Sequence, residues 1–138
     1  MGSLTKEQIE EMAEYWQKSA EHDFETVFFL YKNKKYSDSL FFGHIVLEKI
    51  LKALVVKKIK IEPPKMHDLV KLEELAELNS DNEVRILLKE VNVFNIRSRY
   101  PDYKFRFYKS CTKEFTKKYL DKIKELYKNL CQKLKQKK

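Results

Sequence analysis

Apolar residues in this chain recur at spacings of three and four over several long stretches. The strongest of these is residues 39–54, SLFFGHIVLEKILKAL. Leu40, His44, Leu47, Leu51 and Leu54 fall on one helical stripe, and Phe41, Ile50 and Val55 widen it. Only Glu48, Lys49 and Lys52 interrupt the apolar surface, so this helix is expected to be buried on more than one side and to sit at the centre of the fold. Gly43 lies mid-helix, where glycine costs about 1 kcal/mol relative to alanine. Close approach of another helix would explain it, and so would simple tolerance. His44, on the stripe, reads as a hydrogen-bonded core residue before it reads as a ligand.

Four more helices follow from the same pattern. Thr5 with Gln8 three residues on has the spacing of a capping box, and a first helix can run from there to about residue 32. Met12, Trp16, Ser19, Ala20, Asp23, Val27 and Leu30 share one face of it, with Phe24, Phe28, Phe29 and Tyr31 adding an aromatic face. Asp23 on an apolar face needs a partner, and a structural ion pair is its first reading. The central helix spans about residues 36–58 and is ended by Pro63 and Pro64. A short helix is predicted over residues 67–78, with Leu69, Leu72 and Leu75 or Ala76 inward. Residues 79–82 form a turn and cap cluster. A fourth helix covers residues 82–98 on Val84, Leu87, Leu88, Val91, Phe94 and Ile96, and Pro101 should stop it. Residues 102–110 read as a connecting loop. Thr112 can cap a last helix to about residue 135, with Phe115 or Thr116, Tyr119, Ile123, Leu126, Leu130 and Leu134 as its stripe. The alternation at residues 105–108 is too short for a strand. The expected fold is all-α, a five-helix up-and-down bundle forming a single domain over residues 1–138.

Composition narrows the function classes. A length of 138 residues suits one domain, and 43% hydrophobic with 36% charged residues fits a folded, soluble chain. No apolar run is long enough for a membrane span. Leu4-Thr5-Lys6-Glu7 has no signal-peptide character, and Met1-Gly2-Ser3 reads as a cloning remnant. Cys111 and Cys131 are the only cysteines and make neither a disulfide framework nor a zinc site, so a reducing cytoplasm is the simplest compartment. The net charge of +8 is uneven: residues 104–138 hold thirteen Lys and Arg against three acids, and the first 103 residues carry −2. A basic last helix on a mildly acidic body suits a polyanion or an acidic protein surface, and equally a solvated helix with a lysine-rich tail.

Candidate chemistry concentrates in NIRSRYPDY, residues 95–103. Arg97 and Arg99 can hold phosphate in a fork, and Tyr100 and Tyr103 can stack a base, with Asp102 beside them. Capping of the helix end by Arg and packing by Tyr are the structural alternative. There is no Gly-rich phosphate loop, no HExxH and no GxSxG. His22, His44 and His67 fall on three segments, so neither a metal site nor a cofactor is expected. The tail lysines Lys133, Lys135, Lys137 and Lys138 are expected to aid binding of longer RNA electrostatically.

Three segments carry a family resemblance. Residues 48–54, Glu-Lys-Ile-Leu-Lys-Ala-Leu, resemble the EK-x-LKAL segment of HEPN domains, named for their occurrence in higher eukaryotes and prokaryotes as nucleotide-binding domains. Met66-His67-Asp68-Leu69 followed by Leu72 resembles the family's HDL-x-x-L. Arg97-Ser98-Arg99-Tyr100-Pro101-Asp102 resembles the ARYPD segment of a subgroup often encoded beside minimal nucleotidyltransferases. The three come in the family's order and cover roughly residues 10–130.

The resemblance implies a nucleotide- or RNA-binding protein, acting with a separate minimal nucleotidyltransferase in a toxin–antitoxin-like system. Its site would be Arg97, Arg99, Tyr100, Asp102 and Tyr103, with Asp23, Glu48, Lys49 and His67 in support. A two-fold homodimer would pool the arginines of both chains, and Gly43, Phe28, Phe29 and Phe42 offer interface material. Ribonucleases of the family carry an Arg followed within a few residues by a His. Here residues 101–103 read Pro-Asp-Tyr and residues 103–105 read Tyr-Lys-Phe, so a metal-independent ribonuclease with a degenerate motif is the alternative reading. A scaffold using the basic last helix is the third.

Overall fold

In the computed structural model, residues 3–136 are described, so Met1, Gly2, Lys137 and Lys138 and the readings made of them lie outside the described residues. The chain forms α1 (Lys6–Lys32), α2 (Tyr36–Ile59), α3 (Leu69–Leu75), α4 (Asn82–Arg99), α5 (Pro101–Ser110) and α6 (Lys113–Lys135), with no strand among the described residues. Local chemistry sets the starts. Thr5 and Gln8 close a reciprocal capping box on α1. Asp68, Asp81 and Thr112 cap α3, α4 and α6 through their side-chain oxygens. α3 is shorter than residues 67–78 because Asp68 starts it and the left-handed Glu77 and Asn79 turn the chain after it.

The sixth helix corrects the expected five. Residues 102–110, read as a loop, are helical. Pro101 ends α4, as its effect on the preceding Tyr100 requires, and then occupies the first turn of α5, where a missing N–H costs nothing. Only Phe107 of α5 is buried, stacked at 5.5 Å on Phe94.

Three cross-contacts give the directions. The Leu4 N–H donates to the Lys60 carbonyl at 2.9 Å, so α1 and α2 are antiparallel. Asn95 meets His44, and Tyr119 meets Glu90, which sets α4 antiparallel to both α2 and α6. α2 packs on every other helix and is buried over most of its length, including Leu40, Val46, Leu47, Ile50, Ala53 and Val55 at no exposure.

Gly43 is a close-approach position. An added Cβ would lie 3.0 Å from Ile123 Cδ1. It is therefore spent on α6 of its own chain, which removes it from the residues offered for a dimer interface. Phe28 and Phe42 are also partly buried against the core, whereas Phe29 is exposed. Ile96 departs from the expected stripe: it is exposed, and Asn95 takes the buried position beside it. Asp23 finds the partner its burial demands, since Lys49 Nζ lies 2.6 Å from Asp23 Oδ2 and 2.7 Å from Ser19 Oγ.

Candidate functional site

α4 and α5 meet at Tyr100, whose extended backbone (φ −92°, ψ 126°) bends the chain. The bend leaves a cleft on each side of the α4 end. One, of about 540 Å³, lies between α4 and α5 and is lined by Val93, Ile96, Arg97, Tyr103, Arg106, Phe107 and Ser110. The other, of about 340 Å³, is lined by His44, His67, Asp68, Asn92, Asn95, Ile96, Arg99 and Tyr100.

Arg97 and Arg99 therefore do not form one fork within a chain. Two residues apart on a helix, they point about 200° apart. Arg97 shares the larger cleft with Arg106 and Tyr103, and Arg99 shares the smaller with Tyr100, His67 and two asparagines. None of the three arginines takes part in an ion pair among the described residues. The Arg99 guanidinium lies 5.9 Å from the Tyr100 ring centre, within cation–π range. Asp102 is exposed in the first turn of α5 and lines neither cleft.

The smaller cleft has a built polar floor. The His44 imidazole is 1% exposed, with Nε2 2.9 Å from the His67 carbonyl and Nδ1 3.1 Å from Asn95 Nδ2. A carbonyl only accepts, so Nε2 carries the hydrogen, and neutral Nδ1 accepts from the Asn95 amide. Burial holds the His44 pKa below its ordinary value, against the opposing pull of Glu48. Asn92 Oδ1 accepts from the Leu69 N–H at 3.0 Å, and its amide donates to Asp68 Oδ1 at 3.0 Å. Behind the floor, Glu48 bridges His67 Nδ1 and Lys52 Nζ, each at 3.0 Å. Lys52 Nζ sits 5.1 Å from the Trp16 ring centre.

Of the supporting positions, His67 lines the smaller cleft and Glu48 holds it, while Asp23 and Lys49 pair with each other and line neither cleft. Sequence reasoning missed Asn92, whose partners Asp68 and Leu69 lie more than twenty residues upstream. Arg106 falls within residues 102–110, which read from sequence only as a connecting loop. Around the larger cleft, Phe105 and Tyr108 are exposed between Lys104, Arg106 and Lys109, and Lys109 Nζ lies 4.6 Å from the Phe105 ring centre. Elsewhere, Tyr119 donates to Glu90 at 2.6 Å, which pushes its pKa up to about 12. Burial pushes Cys111 up to about 11. Among the described residues there is no cluster of His, Cys, Asp or Glu that could hold a metal ion, and no helix long and apolar enough to cross a membrane.

The family model described as HEPN domain matches residues 13–134, which is most of the chain and includes both clefts. The chain belongs to the HEPN domain family. A nucleotide- or RNA-related function goes with that membership. No curated protein and no solved structure matches the chain.

Proposed function

We propose that this HEPN protein binds nucleotide or RNA at the end of α4 and acts with a separate minimal nucleotidyltransferase, in a two-protein system of toxin–antitoxin type. The observation that carries the reading is the pair of clefts at the α4–α5 bend, each offering an arginine without a carboxylate partner beside an exposed tyrosine. Unpaired guanidinium groups suit phosphate oxygens, and exposed rings suit bases. Binding without cleavage fits the sequence after each arginine, where Pro101, Asp102 and Tyr103 after Arg97, and Tyr103, Lys104 and Phe105 after Arg99, stand in place of the ribonuclease histidine. The working unit in this proposal is a cytoplasmic homodimer. Exposed Phe105 and Tyr108 on α5, outside both clefts, supply apolar surface for that contact now that Gly43 is excluded.

A ribonuclease is the second reading, and one observation favours it: His67, from a different segment, lines the same cleft as Arg99. Incubation of the purified protein with total RNA, beside Arg97→Ala and Arg99→Ala, separates the two. Retention of intact RNA by the wild type, weakened in the variants, supports binding. Cleavage lost in the Arg99 variant supports the enzyme. The nucleotidyltransferase partner is tested by the neighbouring reading frame and by co-purification, and the dimer by sedimentation at tens of micromolar protein.

A further inference from the structure

One wall of the smaller cleft is more constrained than an exposed side chain requires. The His67 side chain is 62% exposed, yet the residue is tied at both ends. Its carbonyl accepts from buried His44 at 2.9 Å, and its ring Nδ1 lies 3.0 Å from Glu48 Oε1. Glu48 is itself buried and held by buried Lys52. Fixing an exposed ring costs rotamer freedom for a weak gain at a solvated surface. Glu48 only accepts, so His67 Nδ1 carries the hydrogen, and in the neutral imidazole Nε2 is left as the free acceptor. Arg99 lines the same cleft and supplies only donors. The other acid on the wall, Asp68, is engaged through Oδ1 alone, which lies within 3.4 Å of the Val70 and Lys71 N–H groups and of the Asn92 amide.

A ligand matching this wall needs an anionic acceptor for Arg99, a hydroxyl donor for Nε2 and a flat face for Tyr100. We propose that the cleft takes a ribonucleoside phosphate, with the phosphate on Arg99, a ribose hydroxyl donating to His67 Nε2 and the base against Tyr100, and that Glu48 is a positioning residue fixing the His67 tautomer. This rests on the nucleotide-binding reading above and adds to it the discrimination of ribose from a sugar without hydroxyls.

The test is a calorimetric titration with adenosine monophosphate and with its 2′,3′-dideoxy analogue. The wild type should prefer the ribose form by about two- to twelvefold, the range of one ordinary hydrogen bond. His67→Ala should bind both alike, at the level of the dideoxy analogue. Glu48→Gln, with its one oxygen turned to the donor Lys52 and its NH2 to His67 Nδ1, should lose the preference with the ring still in place, and histidine ¹⁵N spectra should show His67 leaving the Nδ1–H form. Since His67 is exposed, its replacement tests the proposal even where the Glu48 variant is destabilised. Equal binding of the two ligands by the wild type, or a preference that survives His67→Ala, overturns the ribose contact and leaves nucleotide binding standing. A preference that survives Glu48→Gln overturns the positioning role. Absence of binding to the mononucleotide and to a uridine oligonucleotide overturns both readings.

Discussion

Gly43→Ala is the substitution whose effect can be worked most directly from the geometry. The new methyl would lie 3.0 Å from Ile123 Cδ1, 3.8 Å from Ile123 Cγ2 and 3.9 Å from Leu120 Cδ2. Replacing a mid-helix glycine by alanine gains about 1 kcal/mol of helix propensity. Against that, Ile123 is 1% exposed in a packed core, where overpacking costs about 1–3 kcal/mol. The single variant should fall between neutral and about 2 kcal/mol destabilised. Ile123→Val alone removes Cδ1 and should cost about 0.5–1.5 kcal/mol. Together the two changes relieve each other, because the alanine methyl enters the space that Cδ1 left. The double variant should be within about 0.5 kcal/mol of wild type, with a coupling of at least about 1 kcal/mol. Urea unfolding followed by helical circular dichroism measures all four proteins. Additivity within about 0.5 kcal/mol would refute the contact. A Gly43→Ala effect that grows with dilution would return Gly43 to an interface between chains.

The remaining predictions concern titratable groups. His44 is buried neutral with its pKa held down by desolvation, so the unfolded chain binds a proton there that the folded chain does not. Its contribution is present above the unfolded value near 6.5 and is lost as pH falls toward the lowered folded value. Thermal unfolding should therefore show stability falling from pH 7.5 to 5.5, with part of the fall removed in His44→Gln; an identical slope in both would contradict the assignment. Cys111, pushed up to about 11, and Cys131, also raised by burial, should react with iodoacetamide at pH 8 more slowly than a free thiol and speed up on unfolding.

Most of the fold is legible in the sequence because the deciding signals are local. The Thr5–Gln8 box, the Asp81 and Thr112 caps and the stripe through Leu40, His44, Leu47 and Leu51 all lie within one or two turns of the residues they order. α5 is not legible in the sequence because Pro101 signals a stop, and the same ring starts a helix as well as it ends one. With Phe107 its sole buried residue, α5 has no stripe to find. The separation of Arg97 from Arg99 was legible in helix geometry alone. The floor of the smaller cleft was not. Asn92 sits between Val91 and Val93 with nothing local to mark it, and its bonds to Asp68 and Leu69 exist only once α3 and α4 have packed. Asp23 illustrates the middle case: its need for a cation follows from burial, but Lys49 is named only by the fold.

Binding at the α4 end is tested most directly by titrating adenosine monophosphate into the wild type, Arg97→Ala, Arg99→Ala and the double variant at low and physiological salt. Loss of the arginine whose cleft holds the nucleotide, Arg99 for the ribose site proposed above, should weaken binding by about 1–3 kcal/mol, the range of a charge-assisted hydrogen bond. Thermal unfolding should be unchanged, because both side chains are exposed. Wild-type affinity in the double variant at both salt concentrations would contradict it and remove both clefts from the nucleotide site.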